Sequence, residues 1–334
     1  MVAGTSIISR LELARERGIA WLVEAQRPDG AIGDVERHGL GPIYKALWAY
    51  ACAGQTAAAN RLATWIRENL LTEDGDLTGP LRGRVHDRAY GYPHAWITVG
   101  AHKLGRYDIS RRTIEFLLLL QHDTGGFRVE RDREDAVQDV LNTGQAGNAL
   151  LATGRVREAR AAGQFLRTVW EAQPYPEREL FFVYKPGEGL RTEFAEDRQR
   201  LHSIRIDQPR QSYFNSGMAA AFLARLAMAT GDGAWAQLGR QYLEISFNVL
   251  DEMYETAQVG KVGWGAAAIH QITGDERLLA LAERVGDAII AQQQPNGAWD
   301  NTGGYVNEDI RAEVTAEFVV ILDEMVGALS APAR

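Results

Sequence analysis

The densest group of chemically active side chains in the sequence is the stretch 84–96, RVHDRAYGYPHAW. His94 follows a proline at the expected start of a helix, where the helix dipole lowers the pKa of an imidazole. A histidine that is neutral near working pH suits general acid–base catalysis. We therefore predict His94 as a catalytic acid or base, and His86, Tyr92 and Trp96 as substrate-binding residues. The alternative is that His94 caps its helix or contacts a neighbouring loop.

Carboxylates recur four residues apart at the expected starts of two other helices. Asp135 and Asp139 form one such pair, and Asp309 and Glu313 form the other. This spacing places both members of a pair on one helical face. Of two carboxylates that face a cavity, one can stay protonated as an acid while the other is charged, and a glycosidase pair would look similar. We predict catalytic roles for Asp139 and Glu313 and substrate binding by Asp309; the alternative is stabilisation of the helix dipole.

The remaining candidates are polar or aromatic residues near the expected starts of apolar helices. Tyr213 is predicted to donate a proton or to bind a substrate hydroxyl. The tryptophans offer flat faces that suit an apolar substrate, a carbocation or a sugar ring, although core packing is the alternative for each. The other predicted substrate-binding residues are Asp34, Tyr44, Trp48, Asn142, Gln211, Asn215, Trp264 and Trp299.

Alternating helices must position these residues. Six strongly apolar helical segments alternate with amphipathic ones, and five of the apolar segments end at a glycine suited to a left-handed closing turn. The first amphipathic segment, 9–25, and the last apolar segment, 309–329, have no partner beside them in sequence. If these two pair, residues 1–334 form one all-α domain, a closed ring of six helical hairpins called an (α/α)6 toroid. An open helical solenoid is the alternative.

Residues 173–211 interrupt this alternation. They contain the turn sequence PGEG between aromatic and β-branched residues. Such a pattern predicts a β-hairpin, here near 178–208, inserted into the toroid. Insertions on a rigid scaffold often form lids or cavity walls.

A short motif ends three of the amphipathic segments, as QRPDGAI at 26–32, QHDTGGF at 121–127 and QQPNGAW at 293–299. It resembles the repeat of the terpenoid cyclase and protein prenyltransferase α/α-toroid superfamily. The resemblance implies a cavity closed at one end and a site lined by the starts of the inner helices. The Asp-x-Asp-Asp acid of class II cyclases and the zinc ligands of prenyltransferases have no counterpart here. The closing half also resembles six-hairpin glycosidases and N-acylglucosamine 2-epimerases.

Composition limits the classes of partner. The net charge is −8 and no basic run occurs, which disfavours nucleic acid. No apolar run reaches the ~20 residues of a membrane span, and the first residues lack the apolar core of a signal peptide, so we expect a cytoplasmic protein. The single cysteine, Cys52, excludes an internal disulfide. Without metal-ligand spacing or a phosphate loop, we expect no metal or cofactor and a small-molecule substrate. The pattern makes no prediction of oligomeric state.

Three functions are compatible with these features. The first is a metal- and cofactor-independent lyase or isomerase that cyclises, dehydrates or shifts a double bond in a small, largely apolar or terpenoid-like molecule. The second is a carbohydrate-active hydrolase, lyase or epimerase with paired carboxylates, and the third is a non-catalytic binding protein. A deep apolar pocket with one His or Asp favours the first. Two carboxylates that face each other across a polar cleft floored by tryptophan favour the second, and a filled centre without a cavity favours the third.

Overall fold

The computed structural model describes residues 6–77, 89–196, 198–300 and 311–331, and these contain fourteen α-helices and five short strands. The outer helices are α1 (Ile7–Ala25), α4 (Thr56–Asn69), α6 (Tyr107–Leu118), α8 (Val156–Glu171), α11 (Ala234–Leu243) and α13 (Glu276–Gln292). The inner helices are α3 (Ala46–Cys52), α5 (Tyr92–Lys103), α7 (Val140–Ala152), α10 (Phe214–Thr230), α12 (Gly260–Thr273) and α14 (Arg311–Ser330). Two short helices, α2 (Val35–His38) and α9 (Gln199–His202), lie in connecting segments.

The two sets of helices differ because their sequences differ. Every residue of α5 from Tyr92 to Ala101 is buried, since α5 is apolar on all sides and packs against neighbours all round. The outer helix α8 buries only one face, on which Ala159, Ala162 and Leu166 recur every third or fourth residue. None of the helices within the described ranges combines the length and apolarity that crossing a lipid bilayer requires.

The six hairpins close into a ring, as the unpaired first and last segments predict. Each inner helix packs against the next, α14 packs against α3, and α1 packs against α14. Gly18 permits this last approach, because a Cβ atom there would lie 3.0 Å from Cγ2 of Val319 on α14 and 2.6 Å from Cζ3 of Trp299. Arg15 and Asp323 join the same two helices with an ion pair of 2.6 Å. The structure is therefore the α/α toroid, and the open solenoid is excluded.

The insertion forms the predicted hairpin and also pairs with the strand before α7. Strands β3 (Val183–Lys185) and β4 (Gly189–Arg191) are antiparallel about the PGEG turn, where Gly187 has a φ of 78°. Strand β1 (Gln138–Asp139) pairs antiparallel with β3, and β2 (Glu179–Phe181) pairs antiparallel with β5 (Ser203–Arg205). The insertion therefore holds the segment from which α7 starts.

Two inner helices begin later than the sequence predicts. Helix α3 starts at Ala46 rather than near Pro42, because hydrogen-bonded turns such as Ile43 N–H to the Leu40 carbonyl replace its first turn. Helix α7 starts at Val140 rather than Val137, with Asp139 as its N-cap. The expectation that Asp139 shares a helical face with the carboxylate four residues before it is therefore wrong.

The recurring motif joins successive outer helices. In each of its three copies the glutamine Nε2 donates to the carbonyl of its own turn's glycine and to a carbonyl of the next outer helix. For Gln26 both distances are 3.0 Å, to Gly30 and Ala58. A fourth turn, 71–77, pairs its end residues Leu71 and Leu77 as the turns 26–32 and 121–127 pair theirs, but Leu71 replaces the glutamine. The sequence LTEDGDL carries the Asp-Gly of the motif, which is the signal that could have identified it.

Candidate functional site

Ion pairs show that inner helices run parallel around the ring. Lys45, directly before α3, pairs with Glu313 and Glu317 in the first two turns of α14. Near the other ends of α10 and α14, Arg225 pairs with Glu324 at 2.6 Å. Helix starts thus meet at one end of the ring, where side chains from distant parts of the sequence come together.

Two lysines and two glutamates form what we call the charged cluster, namely Lys45, Lys261, Glu313 and Glu317. Lys45 Nζ lies 2.8 Å from Glu313 Oε1 and also pairs with Glu317 Oε2. Lys261 Nζ pairs with the other oxygen of Glu317, Oε1. The lysine side chains are 5% exposed, and those of Glu313 and Glu317 are 10% and 12% exposed. Each buried charge therefore has an opposite partner, as burial requires.

Burial and mutual attraction oppose each other in the pKa values of the charged cluster. Burial disfavours the protonated form of Lys45, but the carboxylates of Glu313 and Glu317 outweigh it and raise the pKa of Lys45. Burial lowers the pKa of Lys261, and the charge of Lys45 adds to this effect against the attraction of Glu317. The two lysines also overcome the burial of Glu317 and hold its pKa at about 2.

Glu313 has one oxygen fixed and one oxygen available. Its Oε1 accepts hydrogen bonds from the Tyr44 hydroxyl and from Lys45 Nζ. Its Oε2 is buried and has no hydrogen-bond partner among the residues that the structure describes. Burial, together with the charge of Glu313, raises the pKa of Tyr44, so Tyr44 stays a neutral donor. The arrangement orients the carboxylate and leaves a lone pair for a ligand.

An aromatic layer lies beneath the charged cluster. The ring centroids of Trp48 and Trp96 are 5.0 Å apart, and those of Trp48 and Trp264 are 5.9 Å apart. Lys45 Nζ is 5.6 Å from the Trp96 ring on one side, and the Arg225 guanidinium is 5.0 Å from the Trp264 ring at the other end of the inner helices. We call Trp48, Trp96 and Trp264 the tryptophan layer; it separates the two sets of ion pairs.

The structure brings six of the sequence-predicted site residues together in this region. These are Tyr44, Trp48, Tyr92, Trp96, Trp264 and Glu313. Two further predicted residues, His86 and Asp309, lie outside the described residues. The remaining predicted residues have contacts elsewhere within the described structure.

His94 is fully buried on the outer side of α5. Its ring stacks on Phe116 of α6 at a centroid distance of 4.7 Å, and its Nδ1 lies 3.1 Å from the Tyr90 carbonyl oxygen. Its Nε2 lies 3.0 Å from Asp76 Oδ1 and accepts the Leu77 amide at 3.2 Å. The nearby His94 ring and the hydrogen bond that the Tyr90 hydroxyl donates outweigh the burial of Asp76 and hold its pKa at about 2.

The motif turns show what His94 does in this position. In two other copies the amide of the last motif residue, Phe127 or Trp299, donates to the hydroxyl of Thr143 or Thr315 at 3.0 Å. His94 accepts the matching amide, that of Leu77, in the fourth turn. We therefore interpret His94 as the residue that holds a motif turn against its inner helix.

Asp139 and Asn142 form a separate polar pair at the start of α7. Both oxygens of Asp139 accept from Asn142 Nδ2 at 2.9 Å, and Asp139 Oδ1 also caps the Asn142 amide at 2.6 Å. Burial raises the pKa of Asp139 to about 6 despite these bonds. Asn142 Oδ1 has no partner within the described ranges.

The other predicted residues contact groups away from the charged cluster. Trp299 Nε1 donates to the Ile289 carbonyl at 2.8 Å, so this side chain packs toward α13. Gln211 closes the end of the insertion through hydrogen bonds of 2.7 Å to both backbone groups of Arg205. Tyr213 donates a hydrogen bond to Glu252 at 3.3 Å, and burial raises its pKa to about 12. Asn215 donates to the Ser212 carbonyl at 3.1 Å. Asp34 is the exposed N-cap of α2.

Sequence reasoning missed Lys45, Lys261 and Glu317. A usable signal existed, because the chain has only four lysines among its 36 basic residues, and Lys45 and Lys261 lie near the starts of apolar inner segments. A charged residue in such a segment is placed there against the cost of burial. No group of three His, Cys, Asp or Glu side chains in the described part of the chain is arranged to hold a metal ion.

Comparison with known proteins gives similarity in fold without similarity in sequence. No protein-family model matches the chain, and no curated protein matches it. A D-mannose isomerase structure aligns with a TM-score of 0.71 and 13% identity, over 95% of this chain and 96% of that chain. A GH76 α-mannanase from Bacteroides thetaiotaomicron gives 0.67 and 10%, over 98% of each chain. The type II terpene cyclase MstE from Scytonema gives 0.60 and 13%, over 96% of this chain and 99% of that chain.

These similarities confirm the α/α toroid and the resemblances that the motifs indicate. The alignments span nearly the whole chain, so they concern the ring and not one hairpin. At 8–13% sequence identity these alignments establish similarity of fold alone, because one fold supports many chemistries.

Proposed function

We propose that this protein is an isomerase or epimerase that transfers a proton at the carbon beside a carbonyl group in a small, hydroxylated, sugar-like molecule. Glu313 is the base. The observation that carries this proposal is the state of its carboxylate, with Oε1 fixed by Tyr44 and Lys45 and Oε2 buried and unpartnered among the described residues.

A polar substrate fits the lining better than an apolar one. Four charged side chains gather at the starts of the inner helices, above the tryptophan layer. This matches the polar, tryptophan-floored site of the second hypothesis more closely than the apolar pocket of the first. Two of the three proteins compared above are named for action on mannose or mannan, which supports the same substrate class.

The charged cluster also fits the electrostatics of proton abstraction. Removing a proton beside a carbonyl places negative charge on the carbonyl oxygen, and fixed positive groups stabilise that charge. Lys45 supplies such charge next to Glu313. Tyr44 and Lys45 orient the base without blocking its second oxygen, so proton transfer needs little reorganisation.

The test is solvent deuterium incorporation into free sugars. Wild-type protein is incubated in D2O with a panel of aldohexoses and ketohexoses, and proton NMR follows loss of the proton on the carbon beside the carbonyl group and appearance of an isomer. We expect exchange with at least one sugar, and Glu313→Gln should reduce its rate by about 100-fold or more, the usual range for a general base.

Glu324→Gln is the matched control, because Glu324 is an ion-paired glutamate on the same helix at the opposite end of the ring. We expect its exchange rate to stay within a few-fold of wild type, with thermal unfolding used to confirm that both variants fold. Turnover of an apolar prenyl substrate without exchange in any sugar would contradict the proposal and favour the first hypothesis.

A further inference from the structure

The two lysines of the charged cluster share one carboxylate but differ in everything else they contact. Glu317 Oε2 pairs with Lys45 and Glu317 Oε1 pairs with Lys261, so a single carboxylate bridges the two ammonium groups. Like charges held this closely in a buried site disfavour each other. One of the two lysines is therefore poised to lose its proton.

The contacts identify Lys261 as that residue. Lys45 has a second carboxylate, Glu313, at 2.8 Å, and its ammonium lies within 5.0–5.9 Å of the ring centroids of Tyr44, Tyr92 and Trp96. Lys261 has one carboxylate partner and one ring, that of Phe214 at 5.6 Å, among the described residues. Carboxylates and aromatic faces both stabilise an ammonium ion, so the protonated state is better supported at Lys45.

We propose that Lys261 is a nucleophile that condenses with the carbonyl carbon of the substrate to form an imine. A lysine that is desolvated beside another cation is a recognised nucleophile toward carbonyl compounds. The inference rests on the proposed function for its substrate class, a small hydroxylated carbonyl compound. It adds a covalent bond to a chain residue.

The pKa of Lys261 agrees with this role. Burial lowers the pKa of Lys261, and the charge of Lys45 lowers it further. A larger fraction of Lys261 than of an exposed lysine is therefore the neutral amine at neutral pH. The site also reaches solvent, since the bridging carboxylate of Glu317 is 12% exposed. Lys261 is held in the first turn of α12, directly after its first residue, which fixes the stem of the nucleophile.

The step balances without any additional reactant. The neutral amine attacks the carbonyl carbon, and the carbonyl oxygen takes up protons and leaves as water. In sum, one ammonium group and one carbonyl group give one iminium ion and one water molecule. Glu313 then removes the proton from the neighbouring carbon, and the iminium nitrogen accepts the electron pair. Glu313 releases this proton to solvent, and a solvent proton adds to the other face of the same carbon. Addition of water to the iminium carbon then releases the epimer and restores the lysine ammonium group.

Reductive trapping tests the proposal. Wild-type protein is incubated briefly at pH 7 with glyceraldehyde and sodium cyanoborohydride, which converts an imine into a stable secondary amine. Peptide mass spectrometry then measures the labelled fraction of each lysine. Because the chain has only four lysines, the exposed Lys103 serves as an internal reference in the same sample.

We expect Lys261 to be labelled at least about 10-fold more than Lys103, and the sugar panel to compete with this labelling. Equal or greater labelling of Lys103 would overturn the proposal, because an unactivated exposed amine would then be the better nucleophile. Sugar exchange by wild type without a Lys261 adduct would overturn the imine proposal and leave the proposed function intact. A Lys261 adduct without exchange in any sugar leaves the imine and removes the proposed function.

Two variants separate the covalent role from a purely electrostatic one. Lys261→Arg keeps the positive charge beside Glu317 but cannot form this imine, and we expect it to reduce sugar exchange by about 100-fold or more. Lys103→Arg is the control of the same type at the far end of α5, and should leave exchange unchanged. Full exchange by Lys261→Arg would show that charge alone is required and would overturn the proposal.

Discussion

Glu313 and His94 lie on different inner helices, two positions apart in the register of the repeat, and they point in opposite directions. The amide of the last motif residue binds the inner helix 16 residues later at Thr143 and Thr315, and 17 residues later at His94. Glu313 precedes Thr315 by two residues, which is a rotation of about 200° around a helix. The position that holds the motif turn therefore faces outward, and the position two residues earlier faces the centre.

This register explains why sequence reasoning chose His94 over the lysines. Residue type and helix-start position are visible in the sequence, and both favour a histidine. The direction in which a side chain points from the inner helix cannot be read from the sequence. It becomes clear once the motif turn is known to bind a particular residue of that helix. The spacing of 16 or 17 residues after three of the four motif turns now supplies that rule. Glu313 and Tyr92, both of them sequence-predicted site residues, lie two residues before an acceptor of the motif amide.

Asp139 provides a prediction about stability and pH. Its pKa is about 6 in the folded protein and near 3.9 in an unfolded chain. Between pH 4 and 6 the folded state then binds more protons, so this residue makes the protein less stable as pH rises, by up to about 3 kcal/mol. Asp139→Asn keeps the helix cap but does not titrate. We expect it to gain stability relative to wild type across this window, measured by urea unfolding.

Asp135→Asn is the control for that measurement. Ion pairs with Lys185 and Arg133 hold the pKa of the exposed Asp135 at about 2, so its stabilising effect is lost only below about pH 4. The difference between Asp135→Asn and wild type should therefore be flat from pH 4 to 6. A flat difference for Asp139→Asn as well would contradict the raised pKa.

At the scale of elements, the motif turns depend on glycine for two separate reasons. Gly125 has a φ of 88°, and a Cβ atom there would lie 2.0 Å from the Ala161 carbonyl oxygen of α8. Gly54, which ends an inner helix, has a φ of 71° but open space around it. The first glycine is required by conformation and by close approach, and the second by conformation alone.

This pair of glycines gives a matched prediction. Gly54→Ala should lower the free energy of unfolding by about 1–2 kcal/mol, the cost of a left-handed alanine. Gly125→Ala should lower it by more than about 3 kcal/mol, because α8 must also move away. Urea unfolding with an unchanged m-value measures both. Equal losses would show that the turn does not hold α8.

Most of the helices could be predicted because each ends at a residue with a clear preference. The glycines after α10 and α12 adopt the left-handed turn at φ values of 69° and 67°, as the sequence indicates. The starts of α3 and α7 differ from the predicted starts, since turns precede α3 and a strand precedes α7. Those starts depend on contacts with other segments, which local periodicity does not contain.

At the scale of the whole molecule, ring closure could be predicted and the content of the centre could not. Closure follows from counting helices, because one outer and one inner segment lack a partner in sequence. The charged cluster joins Lys45 to Glu317 across 272 residues, and Lys261 to Glu317 from another helix. Such a meeting depends on the rotation of three helices about their own axes.

The joint between α1 and α14 should determine the stability of the entire ring. Gly18→Ala places a methyl group 2.6 Å from Trp299 and should cost about 1–3 kcal/mol by overpacking. Gly327→Ala, on the exposed side of α14 with open space around it, should be neutral or stabilising. Hydrogen exchange of the slowest amides in α8, across the ring, should report the same loss for Gly18→Ala. Unchanged exchange in α8 would show that the hairpins unfold independently.

The glutamine of the motif has a consequence for how the ring is bounded. Gln26 binds the Ala58 carbonyl of the next outer helix, and Gln121 binds that of Glu158. Gln293 makes the same bond, at 2.8 Å, to the Ala14 carbonyl of α1. The last hairpin therefore binds the first through the same hydrogen bond that joins other neighbouring hairpins. The junction between the last and first hairpins therefore uses the same contact as the other junctions. The polypeptide could be opened at another short turn, as in a circular permutant, without removing any type of contact between hairpins.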